Sequence, residues 1–340
     1  MIISKNQKIK RKNRKVSHIK ISFLGLGVVG SKLMEYIRGN LNEVKAQTGE
    51  QLYIDKVFIR DITKRRAVSI SDLVLTKNYV EATKDADIII DCMGGSGADL
   101  TREMVIDSIK KKKSVIMSSK KCLALYGKEI CDAVLQNNTI LHYDATVGGC
   151  IPISSVLEHM GKCERINKIY GICNATSNYI MDEMQHNRCS YQAALQRAEK
   201  IGYAENNPEE DTDGFDALYK SVIMTGFGMG YWMDCSWLKP ISIRSITATD
   251  IQEAQRSKCV LKPLFSVENV GDRFSFLIGP KAVPYDSILA SVKGNNNIII
   301  VSGSESGERA FYGQVLPPGQ DDPQRPDEVA HVQPMRMPID

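Results

Sequence analysis

Along this chain, short uninterrupted apolar runs alternate with stretches whose apolar residues recur every three or four positions. Residues 19–29 open with Ile-Lys-Ile-Ser-Phe-Leu, a buried strand running into a glycine turn. Val29, Leu33, Tyr36 and Ile37 follow at helical spacing. Residues 53–59, 73–75, 87–92 and 114–117 read as further strands, and 101–112 as a helix. Apolar runs without polar alternation fit parallel strands covered on both faces. Strands alternating with helices over about 120 residues predict βαβ units in a doubly wound parallel sheet.

Beyond residue 143 the pattern changes. Residues 166–172 and 242–247 read as strands of a second sheet, and 191–201 and 215–227 as amphipathic helices, which predicts an α+β domain. At 340 residues the chain has room for two domains of about 100–200 residues each. Six of the twelve prolines fall in the last 24 residues, a composition too poor in apolar groups to offset its ordering entropy. The expected division is a basic leader at 1–18, a first domain at 19–143, a second at 144–313 and a proline-rich tail at 314–340.

The net charge of +4 is local in origin. Residues 1–20 hold eight Lys and Arg and no acid, leaving 36 basic against 40 acidic side chains elsewhere. A mildly acidic body argues against a nucleic-acid-binding protein. No apolar run approaches the roughly 18 residues of a membrane span, and no apolar stretch follows the basic N-terminus as in a secretory signal. Nine cysteines lack any Cys-x-x-Cys pair, and five histidines form no ligand cluster. That usage fits reduced thiols in a cytoplasmic enzyme better than disulfides or a zinc cage.

Gly25-Leu26-Gly27-Val28-Val29-Gly30 is a G-x-G-x-x-G between a strand and a helix. The first glycine allows the turn, the second lets backbone approach a pyrophosphate, and the third lets helix and strand pack closely. A Rossmann-type dinucleotide-binding domain is therefore expected, with Gly25, Gly27, Val28, Val29 and Gly30 at the pyrophosphate. Met93 and Gly94 end a later strand on the same side. Strand two ends at Arg60-Asp61, followed by Lys64, Arg65 and Arg66. An acid there suits a ribose diol and basic residues a 2′-phosphate; both are present, with a slight lean to NADP over NAD through Arg60 and Lys64.

The passage Gly202-Tyr203-Ala204-Glu205-Asn206-Asn207-Pro208-Glu209-Glu210-Asp211-Thr212-Asp213-Gly214-Phe215-Asp216-Ala217-Leu218-Tyr219-Lys220 is acidic and turn-rich, then helical. Asp216 and Lys220 share one helix face. Such a pair is usually a solvated surface contact. The apolar neighbours Ala217, Val222, Ile223 and Met224 point instead to a buried lysine, which is costly without a partner.

With these residues in view, a resemblance emerges. The 202–220 passage resembles the G-Y-x-E-x-D-P-x-x-D-x-x-G-x-D-x-x-x-K signature of homoserine dehydrogenases. Gly171-Ile172-Cys173-Asn174-Ala175-Thr176-Ser177-Asn178-Tyr179-Ile180 is similar to their G-I-x-N-G-T-x-N-Y-I segment. Residues 143–152, from Tyr143 to Pro152, resemble their Y-E-A-x-V-G-G-G-I-P segment, and order and spacing agree from about residue 19 to 315. The resemblance implies a short form without the ACT domain, working in threonine, methionine and isoleucine biosynthesis. In that family NAD(P)H reduces L-aspartate 4-semialdehyde to L-homoserine, and the second domain carries the substrate site and the contacts of a homodimer.

Carried over by position, Lys220 would deliver the proton, its pKa lowered by desolvation. Glu205 and Asp216 would hold the substrate ammonium beside Gly202. Lys120 would act electrostatically between cofactor and substrate, with Ser119 at the cofactor. A monovalent cation such as sodium would sit on Asp144 and the carbonyls of Val147, Gly149 and Ile151. Three departures stand out. Met117-Ser118-Ser119-Lys120 replaces T-A-N-K, Ala175 replaces a glycine and so excludes an easy positive φ, and Gln314-Val315-Leu316-Pro317 replaces a glycine turn closing over the cofactor. The last suggests a divergent or frame-shifted C-terminus. It also leaves an alternative: a catalytically impaired dinucleotide-binding homologue, or a paralogue reducing a related amino-acid semialdehyde.

Overall fold

A computed structural model describes residues 18–94, 97–149, 151–204, 207–271 and 273–314. The first half builds β1 (His18–Leu24), α1 (Val28–Thr48), β2 (Gln51–Phe58), β3 (Val74–Thr76), α2 (Tyr79–Thr83), β4 (Ile88–Asp91), α3 (Ala98–Lys110), β5 (Ser114–Met117), α4 (Lys120–Asn137) and β6 (Leu141–His142). The six strands are parallel in the order β3-β2-β1-β4-β5-β6. Buried Ile, Val, Phe and Leu on both sheet faces account for the unbroken apolar runs. This is the doubly wound Rossmann arrangement, and connections leave in opposite directions on either side of the β1–β4 pair. A crevice opens there at the carboxyl ends of the strands.

The second half contributes α5 (Ile153–Cys163), β7 (Ile166–Ile172), α6 (Ala175–His186), α7 (Tyr191–Lys200), α8 (Glu209–Thr212), α9 (Phe215–Met229), α10 (Ala248–Arg256), β8 (Cys259–Val270), β9 (Arg273–Pro284), β10 (Asn296–Gly303) and β11 (Gly307–Gln314). Its five strands are antiparallel in the order β11-β10-β7-β8-β9. The fold is thus α/β: a parallel dinucleotide-type sheet followed by an α+β unit.

Three sequence expectations change, and a fourth, the stripe along α1, holds in part. The helix forms where the spacing of Val29, Leu33, Tyr36 and Ile37 predicts it, and Leu33 and Ile37 pack against the core of the parallel sheet. Val29 and Tyr36 are exposed, while Gly30, Ser31 and Met34 are buried. Gly30 sets that rotation, because a Cβ there would meet the Gly25 carbonyl oxygen at 3.0 Å and the Cys92 Cβ at 3.2 Å. Residues 242–247 are not a strand. Ile243–Ser245 forms a 3-10 turn, and the hydroxyls of Ser242 and Thr247 bond the amides of Arg244 and Asp250. Such local bonds compete with a ladder, so the apparent period of two misleads. His18 belongs to β1, one residue inside the expected leader. Gln314 pairs with Asn296 in β11, one residue inside the expected tail. The rest of the leader and tail lies outside the described residues.

One hydrophobic core runs from Leu24, Val105 and Leu123 under the parallel sheet to Leu157, Val222 and Phe265 beneath the second. Helices α4 and α9 meet along this seam, and the Trp232 indole lies between them. A Cβ at Gly127 of α4 would fall 2.0 Å from the indole, and one at Gly226 of α9 would fall 2.5 Å from it. Gly127→Ala is therefore expected to lower stability by about 1–3 kcal/mol through overpacking. Gly39→Ala, on α1 with nothing within 4 Å, is the control and is expected to be neutral or stabilising. Urea unfolding monitored by circular dichroism checks both; equal midpoints for the two variants would contradict the clasp.

Candidate active site

The glycine turn is built as its sequence requires. Gly25 has φ +95°, and a Cβ there would lie 2.7 Å from the Cys92 carbonyl oxygen, so no larger residue fits. Gly27 is the N-cap of α1, without a side-chain cap and with nothing within 4 Å of a Cβ position. That open cradle in front of helix N–H groups fits a pyrophosphate. Val28 and Val29 stand 67% and 62% exposed at its lip, apolar surface that a bound dinucleotide would cover.

The crevice continues between the sheets as a cleft of about 560 Å³. Val29, Gly94, Ser119, Lys120, Thr146 to Gly149, Glu210 and Lys220 are among the residues that line it. Thr101 also lines it, and its hydroxyl is buried without a hydrogen-bond partner among the described residues, open to a ligand group. A larger cleft of about 800 Å³ lies behind Trp232. On its rim Lys128 pairs with Asp132 at 2.8 Å and Glu129 with Arg102 at 2.6 Å, but none of the glycine turn lines it, whereas Val29 of that turn and Gly94 line the smaller cleft, which is therefore the candidate site.

At the floor of that cleft, Asp216 is 2% exposed and holds two ammonium groups. Lys220 Nζ lies 2.7 Å from Asp216 Oδ2 and donates to the Cys173 carbonyl oxygen at 2.8 Å. Lys120, from the first turn of α4, donates to Asp216 Oδ1 and lies 3.8 Å from Glu210. Asn174 Nδ2 donates to Asp216 Oδ2 at 2.8 Å and to Asp211 Oδ1 at 2.7 Å, while its Oδ1 caps α6 by accepting from the Ser177 amide. Two domains therefore converge on one carboxylate.

Burial opposes ionisation of all three groups, and mutual attraction overcomes it. Desolvation pushes Asp216 up, but Lys220 and Lys120 hold it below the usual carboxylate range. Desolvation pulls Lys220 down, but Asp216 outweighs it and the ammonium sits above its ordinary value. Lys120 is raised in the same way. The expected lowering of Lys220 by desolvation alone is thus reversed. Asp211 is raised, by burial first and then by the nearby Asp216 charge.

Other expected site residues are placed as follows. Gly202 takes φ +80° after α7, with open space at its Cβ position. Glu205 lies outside the described residues. Arg60 and Lys64 are exposed beyond β2, and Arg66 organises their loop by donating to the Lys64 and Asp61 carbonyl oxygens, both at 2.6 Å. Met93 and Ser119 bond Asp91 at 3.0 and 2.9 Å. Asp144 opens a 3-10 turn and accepts from Ser155 at 3.5 Å, with Val147 buried and Gly149 at φ +56°. The Ile151 carbonyl already accepts from the Ile153 amide at 2.7 Å. Ala175 is the first residue of α6 with Asn174 as the N-cap, a position that needs no positive φ, so this departure is harmless.

Sequence reasoning missed Asn174, Asp211 and Glu210 as members of the cluster. The first lay in a quoted segment and the others in the acidic run, but nothing in their local spacing joined them.

A Rossmann sheet, a glycine cradle and a lysine–aspartate cluster facing the same crevice define an NAD(P)-dependent oxidoreductase. Residues 25–144 match the homoserine dehydrogenase NAD-binding domain and residues 152–319 the homoserine dehydrogenase family. Homoserine dehydrogenase of Bacillus subtilis is 31% identical over 87% of this chain and 68% of its own length. That of Synechocystis is 33% identical over 87% and 69%. The crystal structure of a Thiobacillus denitrificans homoserine dehydrogenase superposes with a TM-score of 0.81 at 28% identity, covering 88% of this chain and 69% of that one. The chain belongs to the homoserine dehydrogenase family.

Replacing Asn174 by Ala removes a cap and two carboxylate bonds at once. The expected loss is about 1–2 kcal/mol of stability, with a fall in turnover as Asp211 and Asp216 lose their shared donor. Thermal melting and steady-state assays check this; wild-type turnover would contradict the cluster as drawn.

Proposed function

We propose that this chain interconverts L-aspartate 4-semialdehyde and L-homoserine with NAD(P)H. The observation that carries the reading is the joining of Lys120, Asp216 and Lys220 at the floor of the dinucleotide crevice. The bound dinucleotide supplies the hydride. Lys220 delivers the proton to the alkoxide oxygen that develops at the former aldehyde carbon, and in the reverse direction it accepts that proton. Lys120 lends positive charge beside the same oxygen or the substrate carboxylate. Asp216 orients both lysines and, with Glu205 and the backbone at Gly202, receives the substrate ammonium.

The cofactor preference is NADP. Asp61 turns its carboxylate onto the amide and hydroxyl of Thr63, at 2.8 and 2.7 Å, while the exposed Arg60 and Lys64 flank the same loop. A sodium ion on Asp144 and the Val147, Gly149 and Ile151 carbonyls fits the hard oxygen donors of that turn. Residues 19–143 serve the cofactor and 144–313 the substrate, and the second domain forms a cytoplasmic homodimer. No described helix is long and apolar enough to cross a membrane.

Lys220→Met is expected to lower kcat by roughly 10²–10⁴-fold with the NADPH Kd within about twofold. Absorbance at 340 nm with homoserine and each cofactor provides the assay, and unchanged turnover would contradict the assignment. NADPH binding without turnover by the unaltered chain would favour the impaired homologue. The raised pKa of Lys220 fixes the pH dependence. The proton needed for reduction is fully present at neutral pH and is lost only as pH rises through the raised value. Reduction is therefore expected to be flat through neutrality and to fall on the alkaline side, while homoserine oxidation rises there. Lys64→Ala is expected to raise the Kd of NADPH more than that of NADH; equal shifts would contradict the preference.

A further inference from the structure

Among the buried titratable groups, Asp91 has no part in the proton chemistry yet lies at the floor of the crevice. It is the last residue of β4, in register with Leu24 of β1 and Met117 of β5, at the point where the strand order reverses. Its side chain is fully buried. Oδ1 accepts from the Met93 amide at 3.0 Å and the Ser119 hydroxyl at 2.9 Å, and Oδ2 accepts from the Ser119 amide at 3.0 Å. Its main-chain oxygen accepts from the Ser118 hydroxyl at 2.8 Å and the Ser118 amide at 3.2 Å.

All these donors come from two short segments, residues 93–94 and 118–120, and Gly94, Ser118, Ser119 and Lys120 line the cleft. Burying a carboxylate is unfavourable without such bonds. Burial raises the Asp91 carboxyl and its donors act against that rise. The bonding also changes what Ser119 does. Ser119 is the N-cap of α4, where a serine ordinarily accepts from the helix's own N–H groups, yet its side chain makes no cap bond and donates to Asp91. The amino end of an 18-residue helix is thereby left without a side-chain cap at the cleft wall.

We infer that Asp91 is a positioning residue for the dinucleotide: it ties the two segments into one floor and withholds the Ser119 hydroxyl from capping, so that the α4 terminus faces the ligand. The inference rests on the reading of this cleft as the cofactor crevice. Asp91→Asn keeps the shape but sets an amide NH₂ against one of the donors. Fluorescence titration with NADPH is expected to give a Kd at least tenfold higher, with the KM for homoserine within twofold, in protein whose melting curve shows it folded. A Kd within twofold of the unaltered chain, or a homoserine KM that rises in step with it, would overturn the inference.

The Asp91→Asn, Ser119→Ala double variant is expected to bind no more weakly than Asp91→Asn alone; additive losses would show that Ser119 does not act through Asp91. Should Asp91→Asn not fold, Ser119→Ala is expected to weaken binding and Ser119→Thr, which keeps the hydroxyl, to restore it. Unchanged binding in Ser119→Ala would overturn the inference. Failure of the unaltered chain to bind NADPH would overturn the crevice assignment and this inference with it.

Discussion

The buried carboxylate of Asp216 is the constraint on which the rest depends. It holds Lys220 from its own helix and Lys120 from a helix of the other domain. Removing one partner from a buried ion pair costs about 3–5 kcal/mol, because the remaining charge is left uncompensated. The contact therefore helps to hold the two domains together at the cleft, beside the core they share. It also explains how two ammonium groups at the floor of a cleft sit above their ordinary pKa although burial pulls both down.

The scaffold places this contact at the edge of the dinucleotide crevice. The parallel sheet delivers the Gly25–Gly30 turn and the amino end of α4 to one rim. The second domain delivers α9 to the other. Trp232, clasped between Gly127 and Gly226, fixes the same two helices further along, so α4 and α9 are held at two separated points. Hydride transfer at the proposed site would need that rigidity, since small displacements of reacting groups are expensive in rate.

Much of this was legible in the chain. The glycine turn, the strands at 114–117 and 166–172, and the Asp216–Lys220 face are local patterns, and their physics is local too. What stayed hidden depends on long-range contact. Asn174 meets Asp211 and Asp216 across 37 and 42 residues, and Asp91 meets Ser119 across 28. The β8–β9 hairpin was masked because a fully buried lysine, Lys262, interrupts its apolar pattern. Its ammonium is accommodated by the Val292 carbonyl and, at 3.4 Å, by Asn178. Residues 242–247 failed in the opposite way, with strand-like alternation overruled by hydroxyls bonding their own backbone.

The central claim is that one carboxylate organises both lysines for proton delivery. Single-turnover reduction of the semialdehyde by the Asp216→Asn variant, preloaded with NADPH and followed at 340 nm, tests it most directly. The account predicts a hydride-transfer rate at least a hundredfold lower, together with a pH profile displaced toward acid as Lys220 loses the charge that raises it. A rate and profile matching the unaltered chain would contradict it.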